Sequence, residues 1–250
     1  MKIEKNILAV FLSLLLTTTF SMANATMEEE FLGEFEQEMQ TKQENDPLEA
    51  YNRVMTSFND GFYTDVLIPV GKGFRAITHE EVRESLSNFF ANLFFPVSFV
   101  NNILQGEFKD ACTELSRFVI NSTLGIGGLF DPAKEYYAIE PKKEDFGQTL
   151  GVWGVGSGPH IVLPIIGSSN LRDIIGFYPD SLLNPVDYYD DRSYNLVDRS
   201  IESVGVKVVD RVNFTAINDG RYEKLKEDAI DLYPYLKNMY EQYRNNQIKE

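Results

Sequence analysis

From Asp46 onward, apolar residues recur every three or four positions, in stretches separated by proline or glycine. The first stretch holds Leu48, Tyr51, Met55, Phe58 and Phe62, the spacing of one helix face. Asp46-Pro47-Leu48-Glu49 precedes it with a capping residue, a first-turn proline and a glutamate three residues after the cap, which predicts the helix start. Pro69, Gly71 and Gly73 predict a break. Thr78 and Glu81 form a capping box for a second helix with Val82, Leu86, Phe89, Phe90, Leu93 and Phe94 in a broad stripe. Pro96 breaks it, and a short apolar turn ends at Gly106. Phe108, Cys112, Leu115, Phe118 and Val119 predict the next helix, closed by Gly125, Gly127 and Gly128.

The middle of the chain changes character. Residues 146–168 carry glycines at 147, 151, 154, 156, 158 and 167, and two short apolar runs flank Gly156-Ser157-Gly158-Pro159. This pattern predicts a hairpin or irregular segment in place of a helix. Helical spacing returns at Leu171, Ile174 and Ile175, and is clearest across Tyr194, Val197, Ile201, Val204, Val208 and Val212. A polar, tyrosine-rich helix from about Tyr222 to Asn246 closes the chain, with a break near Pro234. The fold class is therefore mainly α, in one domain over 46–246, with no internal repeat. No apolar run after residue 25 has the roughly 20 residues a spanning helix needs.

The N-terminus has a different logic. Lys2 and Lys5 precede an apolar run from Ile7 to Leu16, and Ala23-Asn24-Ala25 follows, which reads as a secretory signal peptide over 1–25. The alternative is an uncleaved anchor. Residues 26–45 form an acidic stretch, read as a solvated linker or as a partner-docking segment. The single cysteine, Cys112, offers no internal disulfide and reads as a buried thiol on a helix face. No cysteine follows the apolar run, so the expectation is an exported protein without an N-terminal lipid anchor.

Charge and candidate chemistry narrow the function. A net charge of −15 argues against nucleic acid and against electrostatic docking on anionic lipid. Membrane contact then has to come from apolar burial, and 18 Phe and 13 Tyr allow it. Gly154-Val155-Gly156 lacks the third glycine of a dinucleotide fingerprint, since Pro159 stands in its place. Gly125-Ile126-Gly127 fails in the same way at Phe130. Ser157 follows Val155, so the hydrolase elbow is missing. His79 and His160 are isolated, which falls short of a zinc site or a triad. Asp190 with Asp191, and Glu144 with Asp145, read as solvated faces more readily than as acid–base couples. The expectation is a protein that is not an enzyme and needs no cofactor or metal.

The words of the sequence then become recognisable. Asp46-Pro47-Leu48-Glu49-Ala50-Tyr51-Asn52-Arg53 resembles the opening motif of the MlaA (VacJ) family. Leu86-Ser87-Asn88-Phe89, Arg117-Phe118, Asn121-Ser122-Thr123-Leu124-Gly125 and Asp131 continue the match. Phe146-Gly147-Gln148-Thr149-Leu150-Gly151, Gly158-Pro159, Leu163-Pro164 and Leu171-Arg172-Asp173 extend it, and Tyr233 and Tyr240 resemble a tyrosine pair in the family's last helix.

The resemblance implies a ring of amphipathic helices in the inner leaflet of the Gram-negative outer membrane. Its central channel lets mislocalised phospholipid leave the outer leaflet and pass to a periplasmic carrier, which maintains lipid asymmetry. It also implies a trimeric porin as a partner. Family members are usually lipoproteins, from which this chain would depart, leaving the ring alone to hold it at the membrane.

On that reading the lipid-passage candidates are Gly147, Gln148, Trp153, Gly154, Gly156, Ser157, Gly158, Pro159, His160, Leu163 and Pro164. The glycines among them would let a hairpin shift between open and closed forms. Phe89, Phe90, Phe94, Phe95 and Phe99 would face the membrane, although on that stretch alone an aromatic core is the simpler reading. Asp46, Pro47, Asn52, Arg53, Asn88, Asn121, Arg172 and Asp173 would be structural, satisfying polar groups between helices. A soluble periplasmic lipid-binding or adaptor protein is the alternative.

Overall fold

The computed structural model describes residues 46–187, 189, 196 and 200–249; the expected signal peptide and acidic linker lie outside them. The first helix, α1, runs Glu49–Phe62. It starts after Leu48, two residues beyond the cap expected at Asp46. The break expected at Pro69 is absent as well. The chain widens into a π-turn, Tyr63–Leu67, in which the Ile68 N–H reaches back five residues to the Tyr63 carbonyl. Helix α2, Ile68–Ile77, continues from it with the proline in its first turn, where a missing N–H does no harm. Gly71 marks a close crossing, because a Cβ there would lie 2.9 Å from Thr215 Cγ2.

Helix α3 spans Glu80–Leu93. Thr78 does not cap it: the N-cap position is His79, and the Thr78 hydroxyl donates backward to the Phe74 carbonyl. Helix α4, Phe95–Gln105, carries Pro96 in its first turn and ends on left-handed Gly106 (φ 83°). Helix α5 is Phe108–Thr123, and α6 is the single turn Pro132–Glu135.

The glycine-rich segment departs most from expectation. Its first part, Phe146–Val152, is helix α7, started by the Asp145 carboxylate accepting from the Gln148 N–H. Its glycines are packing positions: a Cβ on Gly151 would meet Ile248 Cδ1 at 2.5 Å. The hairpin lies later, with β1 (His160–Leu163) antiparallel to β2 (Gly167–Asn170) and Leu163 opposite Gly167. Its turn is Pro164-Ile165-Ile166, not Gly156-Ser157-Gly158-Pro159. Helix α8, Leu171–Leu183, follows directly. Then come α9 (Ser200–Ile217), α10 (Arg221–Asp228) and α11 (Leu232–Lys249). The last break precedes Pro234, which sits in the first turn of α11.

Contacts between elements close on themselves. Helix α1 touches α11, α11 touches α7, α7 touches α4, α4 touches α3, α3 touches α9, and α9 touches α2, which continues from α1 through the π-turn. The described residues from Leu48 onward form one unit with this ring-like order.

Polarity in this unit is inverted relative to a water-soluble bundle. Among the described residues, nineteen polar or charged side chains are buried against nine hydrophobic ones, so the helices meet through polar groups. The apolar stripes point away. Tyr51 and Phe58 of α1 are exposed while Asn52, Thr56 and Asn59 are buried. On α5, Phe108, Leu115 and Val119 are exposed while Glu114, Arg117 and Asn121 are buried. Ile201, Val204 and Val208 of α9 are exposed, and Ser203 and Asn213 are buried. Cys112, expected to be buried, is exposed because its apolar face is the outward one. No helix among the described residues is long and apolar enough to cross a membrane.

In a bundle packed this way the usual mutational ranking reverses. Asn52→Leu leaves the His160 carbonyl and the Val162 N–H without their partner and is expected to cost about 1–3 kcal/mol for each. Phe58→Ala, on an exposed face, is expected to change stability in detergent by less than about 0.5 kcal/mol. Thermal unfolding of both variants in one detergent checks the order.

Candidate functional site

The hairpin is held through side chains of α1. The Asn52 amide donates to the His160 carbonyl at 2.9 Å, and its oxygen accepts from the Val162 N–H at 2.8 Å. Asn59 repeats the pattern, donating to the Leu163 carbonyl at 2.9 Å and accepting from the Ile165 N–H at 2.6 Å. Two helical turns rise about 10 Å, close to the advance of three strand residues, so two asparagines seven apart keep step with β1. Each carboxamide thereby stands in for a neighbouring strand and satisfies an edge that is otherwise open. Asn59 also holds Ile165 in its left-handed conformation (φ 68°), which a β-branched residue rarely adopts.

Behind the hairpin lies a buried charge knot. The Arg244 guanidinium of α11 grips Asp145 through two bonds of 2.6 and 2.7 Å, and Asp173 of α8 through two of 2.9 Å. Asp173 also accepts from the Tyr240 hydroxyl at 2.6 Å and from Arg172 Nε at 3.1 Å. Burial alone would raise the Asp145 carboxyl, but the Arg244 bonds outweigh it and hold the pKa below the ordinary value. The close approach of Gly176 to the Gly147 backbone, 2.6 Å for an added Cβ, lets α7 and α8 meet over this knot. Arg244 drew no notice in the sequence because it stands in a polar helix among other polar residues.

A cavity of about 380 Å³ opens between the hairpin, α1, α9, α10 and α11. The hairpin supplies Val162, Ile166, Gly167 and Ser168 to its wall, and α11 supplies Leu236, Met239, Tyr240 and Tyr243. Thr56 and Asn59 of α1 add polar groups, and Tyr63 and Tyr222 stack at 5.2 Å beside them. The volume falls in the range of small-molecule pockets.

None of the eleven sequence-derived lipid-passage residues lines this cavity. Gly147 and Gln148 belong to the charge knot, with Gln148 bonded to Asp145. His160 is buried against Glu241, 3.2 Å from Nδ1. Trp153, Gly154, Gly156 and Gly158 lie on exposed chain ahead of β1, with Ser157 and Pro159 between them half-buried. Trp153 donates to the Leu104 carbonyl. Leu163 is half-buried, and Pro164 is exposed in the turn. The wall comes instead from hairpin residues beyond those chosen and from helices that appeared merely tyrosine-rich.

The other predicted residues divide similarly. Phe90 is buried, not outward, and stacks on Phe94; Phe89, Phe94, Phe95 and Phe99 are half-buried. Arg53 is an exposed residue bridging Glu49 and Asp231. Asn121 and Arg117 both bind Asp131, at 2.9 and 2.7 Å. With Asn88 they line a second, polar cavity of about 290 Å³. No cluster that could hold a metal occurs among the described residues.

A model of the MlaA lipoprotein family matches residues 44–247. An uncharacterised protein of Rickettsia bellii is 33% identical over 205 residues, 82% of this chain and 77% of that protein. The intermembrane phospholipid transport system lipoprotein MlaA of Escherichia coli is 39% identical over 145 residues, 54% of this chain and 57% of its own length. Its Haemophilus influenzae counterpart is 36% identical over 144 residues, 57% of this chain and 58% of its own. The chain thus spans less than two thirds of these lipoproteins. A solved structure, reported as the structural basis for maintenance of bacterial outer membrane lipid asymmetry, superposes with a TM-score of 0.69 at 32% identity, covering 81% of this chain and 98% of that one.

Two outcomes test the knot. Arg244→Met strands the buried Asp173 carboxylate and the half-buried Asp145 one, and is expected to cost about 3 kcal/mol, most of it at Asp173, measured by denaturant unfolding in detergent. Glu144 beside it is pushed up to about 7 by burial, against the opposing Gln105 amide. A carboxyl raised on folding contributes stability below its unfolded pKa and loses it as pH rises through the folded one. The Tm advantage of Glu144→Gln over the wild type is therefore expected to grow between pH 5 and pH 8. A gap that stays constant with pH counts against it.

Proposed function

The chain belongs to the MlaA lipoprotein family, and from that premise we propose that it moves phospholipid at the periplasmic face of the outer membrane without a chemical step. In this reading it removes mislocalised phospholipid from the outer leaflet and hands it to a periplasmic carrier of the Mla pathway, so that lipid asymmetry is kept. The inverted polarity carries the proposal. Helices whose apolar faces point outward and whose polar faces meet each other fit a ring lying within one leaflet, with acyl chains against Phe58, Phe108, Val119 and Val208. Backbone polar groups at membrane depth have to be satisfied within the protein, which the Asn52 and Asn59 bridges do for the hairpin.

The cavity between hairpin, α1 and α11 is the proposed station for the lipid, apolar on most of its wall and polar at Thr56, Asn59 and Ser168. The name of the E. coli relative, an intermembrane phospholipid transport lipoprotein, supports phospholipid as the cargo. A trimeric porin remains a proposed partner on the family resemblance.

Fractionation of a Gram-negative host that makes the protein tests this reading. Outer-membrane recovery that survives a high-salt wash and needs detergent for release, with phospholipid co-purifying, is the expected result. A freely soluble, lipid-free monomer would replace it with the periplasmic adaptor reading.

A further inference from the structure

One cation in the cavity has no acceptor. Among the described arginines withdrawn from solvent, Arg117, Arg172 and Arg244 hold carboxylates and Arg83 holds the Thr78 carbonyl. Arg211 of α9 holds neither, although it lines the cavity and is half-buried. Its guanidinium lies 5.3 Å from the Tyr63 ring centroid and 5.7 Å from that of Phe214. The nearby Asp60 carboxylate is occupied by Lys226 at 2.7 Å and by the Tyr222 hydroxyl at 3.1 Å. Burial pushes the Arg211 pKa below the ordinary guanidinium value, without opposition from any neighbouring acid.

A half-buried charge without a counter-ion is still costly, and two aromatic faces offset only part of that cost. A ligand that brings an anion offsets the rest. The guanidinium offers a planar fork of N–H donors that matches two oxygens of one phosphate. In the same cavity, Val162, Ile166, Leu236 and Met239 present an apolar wall. Together they define an amphiphile: an anionic head on the arginine with hydrocarbon against the hairpin.

We propose that Arg211 recognises the phosphate diester of the carried phospholipid, and so distinguishes phospholipid from neutral lipid. This rests on the phospholipid reading above.

The full-length protein in detergent is titrated with dioleoyl phosphatidylglycerol and with dioleoylglycerol, and bound lipid is counted by native mass spectrometry. The wild type is expected to favour the phospholipid by about tenfold or more, the effect of a charge-assisted bond. Arg211→Gln is expected to abolish that preference while leaving dioleoylglycerol binding unchanged. Arg211→Lys, which keeps the charge and loses the fork, is expected to fall between them. Inorganic phosphate at millimolar concentration is not expected to displace the lipid; displacement would overturn the proposal in favour of a free-anion site.

Equal binding of both lipids by the wild type, or an unchanged preference in Arg211→Gln, overturns the role of Arg211 while the lipid reading stands. A wild type that binds neither lipid overturns both. A measurement on the wild type alone covers a variant that fails to fold. A phosphatidylglycerol with a photoreactive headgroup is expected to crosslink within residues 208–215 or at Tyr63. Crosslinks confined elsewhere overturn the proposal.

Discussion

A helix that turns its apolar face to its surroundings has only its polar face left to pack with. That constraint governs this protein. Polar packing is demanding, because every buried donor and acceptor needs a partner at the right distance and angle. The carboxamides of Asn52, Asn59, Asn101 and Asn121 and the charge knot around Arg244 meet this demand. Such contacts are specific where a hydrophobic core is forgiving. The helices consequently meet in one register, set by partners far apart in sequence.

The cavity inherits its position from the same contacts. Asn52 and Asn59 hold the hairpin edge against α1, and Tyr240 and Arg244 hold α11 against Asp173 at the foot of β2. Between those two lines of polar contacts the hairpin and α11 turn apolar side chains toward each other, at Val162, Ile166, Leu236 and Met239. The space they leave is apolar where chains would lie and carries a cation at one side. Glycines permit the close approaches that polar packing requires, at Gly71 between α2 and α9 and at Gly176 against α7.

Much of the fold was legible in the sequence, because amphipathic spacing reports a two-faced helix whichever face is buried. It does not report which face that is, and this is why Cys112 looked buried and Phe90 looked outward. Family resemblance supplied the outward reading that periodicity leaves open. The 146–152 helix was missed because glycine in sequence signals freedom, whereas Gly147 and Gly151 are there for closeness to Asp173 and Ile248. Pro69 looked like a break because a π-turn absorbs it by a bond five residues back, which leaves no mark on composition. The cavity was the least legible part. Tyr63, Arg211, Tyr222 and Met239 come from four elements and meet only through the ring order of the helices. Asn52 was visible as a polar residue in an apolar pattern, but its strand partner lies more than 100 residues away.

The central claim is that the outward faces of these helices meet hydrocarbon. Cys112 sits on the outward face of α5 near Leu115 and Val119, and it is the single cysteine of the chain. A nitroxide attached to it therefore reports on that face without any substitution. With the labelled protein reconstituted in phospholipid vesicles, collisions with oxygen are compared with collisions with a water-soluble nickel chelate. Oxygen access well above chelate access, as for a label among acyl chains, is the predicted result. Chelate access equal to that of a label free in water would contradict the account.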